Sequence, residues 1–115
     1  MNVTFQFIEL DLPHEGKLSQ LLAFDERGLV VGTISADCKG NSVEFNRLYV
    51  APDCRRKGIG KELVRRIIQA AQNNECKSVR CAVHPKNTEA VAFYESLGFF
   101  NAGEVYDDLL FVIQT

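Results

Sequence analysis

The sequence predicts an α+β domain built on one mixed, mostly antiparallel central sheet, with elements in the order ββββ-α-β-α-ββ. Three observations lead there. The first 50 residues hold four β-rich segments and no helical period. Residues 58–73 carry apolar side chains at helical spacing. A second, shorter helical block lies at residues 87–98, with strand-like segments before and after it. Strands grouped first, with two helices threaded among the last three, mark an α+β arrangement.

Each element has its own signal. Residues 3–10 are rich in β-formers and end at the breaker cluster Asp11-Leu12-Pro13-His14-Glu15-Gly16. Residues 17–24 and 29–36 are two strands joined by a hairpin turn at Asp25-Glu26-Arg27-Gly28. Residues 42–50 alternate, with Val43, Phe45 and Leu48 apolar and Glu44, Asn46 and Arg47 between them. The irregularity over residues 47–50 leaves room for a β-bulge.

The first helix opens near residues 56–58. Its apolar stripe is Ile59, Leu63 and Ile67 with Val64, Ile68 and Ala71. Lys61, Glu62, Arg65, Arg66 and Gln69 fall on the wet side, and Asn73-Asn74 supply the stop. Residues 78–83 form a fifth strand closed by Pro85. Asn87 is an N-cap for a helix over residues 89–97, and Gly98 suits the left-handed residue that ends it. Phe99-Phe100 begin a sixth strand, and residues 109–113 are a seventh, turned back by Asp107-Asp108.

At 115 residues the chain reads as one domain over residues 1–115. That length buries roughly two-thirds of the unfolded surface. A net charge of −2 gives no basic footprint, so nucleic acid is not expected as a partner. No run approaches the roughly 18 apolar residues of a membrane span, and no signal peptide is apparent, so the expected setting is cytoplasmic, away from membranes. The four cysteines, Cys38, Cys54, Cys76 and Cys81, include no CxxC pair and are expected as reduced thiols; no metal site is expected.

The segment richest in chemistry is Val50-Ala51-Pro52-Asp53-Cys54-Arg55-Arg56-Lys57-Gly58-Ile59-Gly60. It lies between an apolar strand and an amphipathic helix. Gly58 and Gly60 let backbone N–H groups approach an anion with no Cβ in the way. The helix adds unpaired donors and the positive end of its dipole. Such a turn suits a pyrophosphate-bearing cofactor. Cys54, inside it, reads as a tolerated small residue in preference to a reactive thiol.

These residues resemble the GNAT superfamily of acyl-CoA-dependent N-acyltransferases, from about residue 29 to the C-terminus. The likeness rests on the strand at residues 45–50, the R-x-x-G-x-G pattern Arg55…Gly58…Gly60, the helix after it, and Asn87-Thr88-Glu89-Ala90-Val91-Ala92-Phe93-Tyr94-Glu95-Ser96-Leu97-Gly98-Phe99. The glycine pattern alone is weak, and the second block makes the pair specific. The resemblance implies an N-acetyltransferase that uses acetyl-CoA as cosubstrate and a primary amine as acceptor, in a ternary complex without metal. It also implies that Arg55, Arg56, Lys57, Gly58, Ile59, Gly60 and Lys61 hold the pyrophosphate, while Leu48, Tyr49 and Val50 pair with the pantetheine arm. A bulge there would aim a backbone N–H at the thioester carbonyl as an oxyanion donor. Asn87 would bond the cofactor's amide portion, and Tyr94 would protonate the departing thiolate.

Other readings of the same residues stand beside these. Tyr94 also fits a buried tyrosine with a satisfied hydroxyl, and Asn87 a helix cap only. Arg65 and Arg66 fit a solvated face, with assistance to the cofactor's 3′-phosphate by one of them as the alternative. Glu44, where some histone-type relatives place their catalytic glutamate, is the candidate base for the amine proton and equally fits an exposed strand residue; His84 is the reserve. Two departures stand out. The family's two helices between its first and second strands are absent, with only residues 11–16 in their place, so an open acceptor site is expected, completed by another subunit or suited to a large partner. Arg56 also stands where relatives commonly have glycine. The rival reading is a non-catalytic CoA-binding or protein-interaction module; a homodimer is expected from family habit.

Overall fold

The alternation of apolar and polar side chains resolves into seven strands and two helices in the computed structural model, which describes residues 2–12 and 16–115. The strands are β1 (Thr4–Leu12), β2 (Gly16–Phe24), β3 (Val30–Lys39), β4 (Ser42–Val50), β5 (Ser78–Val83), β6 (Phe100–Val105) and β7 (Asp108–Gln114). The helices are α1 (Ile59–Asn73) and α2 (Thr88–Ser96), and a 3-10 turn covers Pro52–Cys54. All strands join one sheet in the order β1-β2-β3-β4-β5-β7-β6. Only β4 and β5 run parallel. The mixed, mostly antiparallel α+β architecture and the order ββββ-α-β-α-ββ are as the sequence indicates.

The differences are at the ends of elements. β1 runs through Asp11 and Leu12, because its pairing with β2 continues to Leu12↔Gly16; Pro13, His14 and Glu15 of the expected breaker lie outside the described residues. β3 extends to Lys39, since Asp37, Cys38 and Lys39 pair with Glu44, Val43 and Ser42. Asp108 belongs to β7, and Tyr106 and Asp107 make the turn. The caps match: Asn87 accepts from the Ala90 N–H at 3.1 Å. Gly98 has φ +96, and the N–H groups of Gly98 and Phe99 donate to the carbonyls of Glu95 and Tyr94 at 3.0 and 3.1 Å, a Schellman closure.

Both helices pack on the same face of the sheet, as right-handed crossovers from β4 to β5 and from β5 to β6 require. That face carries Leu21, Ala23, Ile34, Ala36, Val43, Phe45, Val79, Cys81, Val83 and Phe111, all buried. Ile59, Leu63, Val64, Ile67 and Ala71 of α1 close over one part of it. Tyr94 of α2 closes the other, its ring centroid 5.7 Å from Phe45, 5.6 Å from Phe99 and 6.4 Å from Phe111. The opposite face bears no helix among the described residues. It is laced by polar contacts instead: Gln20 Nε2 donates to Thr33 Oγ1 at 3.2 Å, Ser42 and Ser78 hydroxyls meet at 2.8 Å, and Glu44 pairs with Arg80. An antiparallel sheet can leave such a face to water.

Gly32 sets how closely α1 approaches. A Cβ there would sit 3.1 Å from both Ile59 Cγ2 and Leu63 Cδ1 and 3.3 Å from the Tyr49 carbonyl. Gly32→Val is therefore expected to lose roughly 1–3 kcal/mol by overpacking, read as a lower urea midpoint. An unchanged midpoint would show that α1 does not depend on this contact.

Candidate active site

The site begins with a register slip. On β3 and β4, Thr33 faces Tyr49 and Ser35 faces Asn46, so Arg47 and Leu48 share the single position opposite Ile34. This is the β-bulge the sequence left room for, and Arg47 takes φ +54 within it. A left-handed backbone costs a side-chain-bearing residue roughly 1–2 kcal/mol. Bulges bend the strand that carries them. β4 accordingly pairs with β5 only at Ser42↔Ser78, Val43↔Val79 and Glu44↔Arg80. Beyond Glu44 the two strands part, and a cleft of about 1050 Å³ opens between them.

One end of the cleft is the basic turn. Ala51 N–H donates to the Val31 carbonyl at 2.9 Å, and Arg55 Nε bonds the Val50 carbonyl at 3.0 Å, which folds the turn back on the strand end. Gly58, at φ +80, is the N-cap of α1 and offers no side-chain cap. The first helical bond runs from Glu62 N–H to the Gly58 carbonyl, so the N–H groups of Ile59, Gly60 and Lys61 have no partner within the helix. A Cβ at Gly58 would meet nothing within 4 Å, and one at Gly60 would make only ordinary contact. Packing does not demand glycine at 60. Arg56 takes φ +63, which explains why glycine is common there in the family the sequence resembles.

The cleft gathers most of the sequence-derived candidates. Leu48, Tyr49, Val50, Arg55, Arg56, Gly58, Ile59, Gly60, Lys61, Asn87 and Tyr94 all line it. Lys57, Glu44 and His84 do not. Glu44 lies on the strand before the divergence, with its carboxylate 3.4 Å from Arg80 Nε and 3.5 Å from Lys39 Nζ. His84 is exposed and its Nδ1 accepts the Lys86 N–H at 3.1 Å. Arg66 pairs with Glu62 at 3.1 Å and lies over the Phe5 ring, while Arg65 is exposed, so both belong to the outer face of α1. The lining also includes Phe45, Arg47, Cys81 and Phe93, which sequence reasoning did not select. Period-two alternation could have paired Phe45 with Cys81, but nothing local signals that β4 and β5 separate.

Tyr94 is buried by its aromatic neighbours, yet none of its contacts is a hydrogen bond from the hydroxyl among the described residues. No buried side-chain oxygen or nitrogen there lacks a partner, so the hydroxyl meets the open cleft. Burial, with a smaller push from Cys81, holds the phenol well above its ordinary range. Burial, and then Glu44, lifts the Cys81 thiol from 9.0 to about 12. All four cysteines are free. Groups whose folded pKa exceeds the unfolded value stabilise the fold fully below the unfolded pKa and lose that contribution as pH rises toward the folded one. The thermal midpoint should therefore fall between about pH 9 and pH 12, the window the Cys81 values define. A flat midpoint across that window would mean that neither group is desolvated.

The sequence matches the model of the acetyltransferase (GNAT) family over residues 4–99. It is 39% identical over 83 residues to an N-acetylaspartate synthetase of Danio rerio, covering 70% of this chain and 29% of that protein. It is 32% identical over 60 residues to a thialysine N-epsilon-acetyltransferase of Bos taurus, covering 52% of this chain and 35% of that protein. The chain thus spans about a third of the length of these curated relatives. The fold superposes on the PaiA N-acetyltransferase of Thermoplasma acidophilum, solved in complex with coenzyme A, with a TM-score of 0.80 at 26% identity, covering 85% of this chain and 61% of that one. No helix among the described residues is long and apolar enough to cross a membrane. With the bulged strand, the glycine turn and the Asn87–Tyr94 helix assembled around one cleft, the chain belongs to the GNAT acetyltransferase family.

Proposed function

We propose that this chain is an N-acetyltransferase that moves an acetyl group from acetyl-CoA to a primary amine by direct attack in a ternary complex. The observation that carries the reading is the run of unpaired N–H donors at Ile59, Gly60 and Lys61, beneath a Gly58 with open space above it. These donors and the cationic turn hold the pyrophosphate. Arg55 contributes by bracing the turn through the Val50 carbonyl, and Arg56 and Lys61 supply charge. Lys57, outside the cleft lining, adds only long-range field. Leu48, Tyr49 and Val50 present the free edge of β4 to the pantetheine arm, and the bulge supplies the backbone donor to the thioester carbonyl. Asn87 caps α2 through Oδ1 and keeps its amide N–H₂ for the cofactor.

As the amine nitrogen bonds to the acetyl carbon, the carbon–sulfur bond breaks and the leaving sulfur takes a proton from the Tyr94 hydroxyl. A phenol held above its ordinary pKa is protonated at every working pH, so this acid is always loaded. The ammonium gives its first proton to water on the open sheet face, and the second proton, shed by the nitrogen as the amide forms, restores the Tyr94 hydroxyl. Glu44, at the mouth of the divergence, acts on that water and not on the amine itself, since Lys39 and Arg80 already share its carboxylate. The relatives' names specify aspartate and thialysine as different acceptors, so similarity alone selects neither. An acceptor approaches across a face without covering helices, which suits a large partner or a second copy; β1 is an edge strand with Phe7 46% exposed, a motive for a homodimer.

The test of the cofactor site is calorimetric titration with acetyl-CoA. Binding should be present in the parent and absent in Gly60→Glu, whose Cβ makes only ordinary contact but whose carboxylate repels the pyrophosphate. Equal binding by both would end this placement. Binding without turnover of any amine would favour the non-catalytic module. In kinetics, Tyr94→Phe should lower kcat about tenfold or more with the acetyl-CoA Kd unchanged. Glu44→Gln should depress kcat/KM at neutral pH, by about 10²-fold at the low end of general-base effects, and recover at alkaline pH, where the amine is already neutral. A parental rate for the first, or a parental pH profile for the second, removes that residue from the mechanism.

A further inference from the structure

We propose that Arg47 recognises a carboxylate on the amine acceptor, so that the site selects amines carrying an acid group over plain or cationic amines. The proposal rests on the acetyl-CoA reading of the cleft and names the substrate class of that same site. Arg47 is exposed, lines the cleft and sits at φ +54 in the bulge, a backbone that favours glycine or asparagine over arginine. Non-glycine residues held there cluster where function demands them. Among the described residues the ion pairs join Arg27 to Asp25, Arg66 to Glu62, and Lys39 and Arg80 to Glu44; Arg47 enters none of them. Arg47 thus lines the cleft with no ion-pair partner among the described residues.

The cofactor does not use that charge. Arg56, Lys61 and the α1 donors stand at the far end of β4, and Arg55 is tied there to Val50. From Arg47 to Val50 is three residues of extended chain, roughly 10 Å. The arm that would lie along Leu48, Tyr49 and Val50 is a chain of neutral amides, offering a cation nothing to pair with. The reacting carbonyl would lie at the bulge itself. Arg47 is then the first charged side chain past the point of transfer, and what it meets belongs to the acceptor. A guanidinium presents a planar fork that matches a carboxylate in two parallel hydrogen bonds, which an ammonium cannot do. The single carboxylate lining the cleft, Glu89, belongs to the first turn of α2.

The chemistry has two sources, a free amino acid and the acidic amino terminus of a polypeptide, and the test separates them. Thiol release from acetyl-CoA is followed with aspartate, glutamate and glycine, each beside its carboxamide counterpart. The same assay is run with short peptides beginning with Asp, Glu, Ala or Lys, and with a polyamine. The parent should lose at least tenfold in kcat/KM when the acceptor's carboxylate becomes a carboxamide. Preference among the free acids, or among the Asp and Glu peptides, identifies the source. Arg47→Asn, which suits the left-handed backbone and so should fold at least as well, should abolish the discrimination while the acetyl-CoA Kd is retained. Arg47→Glu should turn the preference toward the polyamine. Equal use of acid and carboxamide by the parent, turnover confined to amines without an acid group, or discrimination surviving in Arg47→Asn would each overturn the proposal. Failure of the parent to bind acetyl-CoA in calorimetry is a different result and sinks the transferase reading beneath it.

Discussion

The structure depends on one dislocation in hydrogen bonding. Arg47 and Leu48 occupy a place on β4 that β3 matches with Ile34 alone, and the strand bends away from β5 after Glu44. Every later feature follows from that bend. The unpaired stretch of β4 leaves backbone groups that a ligand can complete as an added strand. The widening gap is where α2 brings Asn87 and Tyr94 opposite the turn that opens α1. Without the bulge the sheet would close, and the same residues would be core and cap with no cleft between them.

The second constraint is handedness. Two successive right-handed crossovers put α1 and α2 on one face, so a single apolar layer serves the whole domain. Phe45, Tyr94, Phe99 and Phe111 form the aromatic part of that layer, beside the cleft. The same packing buries the Tyr94 ring and raises its pKa, so core stability and a phenol held protonated have one cause. The face left without helices survives because its side chains satisfy one another: Gln20 with Thr33, Ser42 with Ser78, Glu44 with Lys39 and Arg80.

Charge divides the cleft into two stations. The turn and helix start concentrate donors and cations at one end, tied together by Arg55 and the Val50 carbonyl. Arg47 stands at the bulge, outside every ion pair among the described residues and on a backbone that works against it. The middle of the cleft is apolar and aromatic, with Leu48, Phe93 and Tyr94. That arrangement fits an elongated ligand with a polyanionic end, a neutral arm and a reacting centre, followed by a second molecule.

How much of this could be read from the chain itself varies with the range of the interaction. The amphipathic period of α1, the Asn87 cap, the Gly98 terminator and the glycine turn are all local, so residue types and spacing determined them, with boundaries off by a few residues where pairing such as Lys39↔Ser42 extended a strand. The turn and the Asn87–Tyr94 block also determined the family, because each is a contiguous motif. Only the tertiary structure decided that Glu44 shares its carboxylate with two cations, that Lys57 and His84 fall outside the cleft, and that Arg47, Phe45, Cys81 and Phe93 line it. These facts depend on which strands lie side by side and where they part. Strand pairing over such separations leaves no periodic trace in the sequence, because the residues that meet across the gap are neighbours only after the fold has formed.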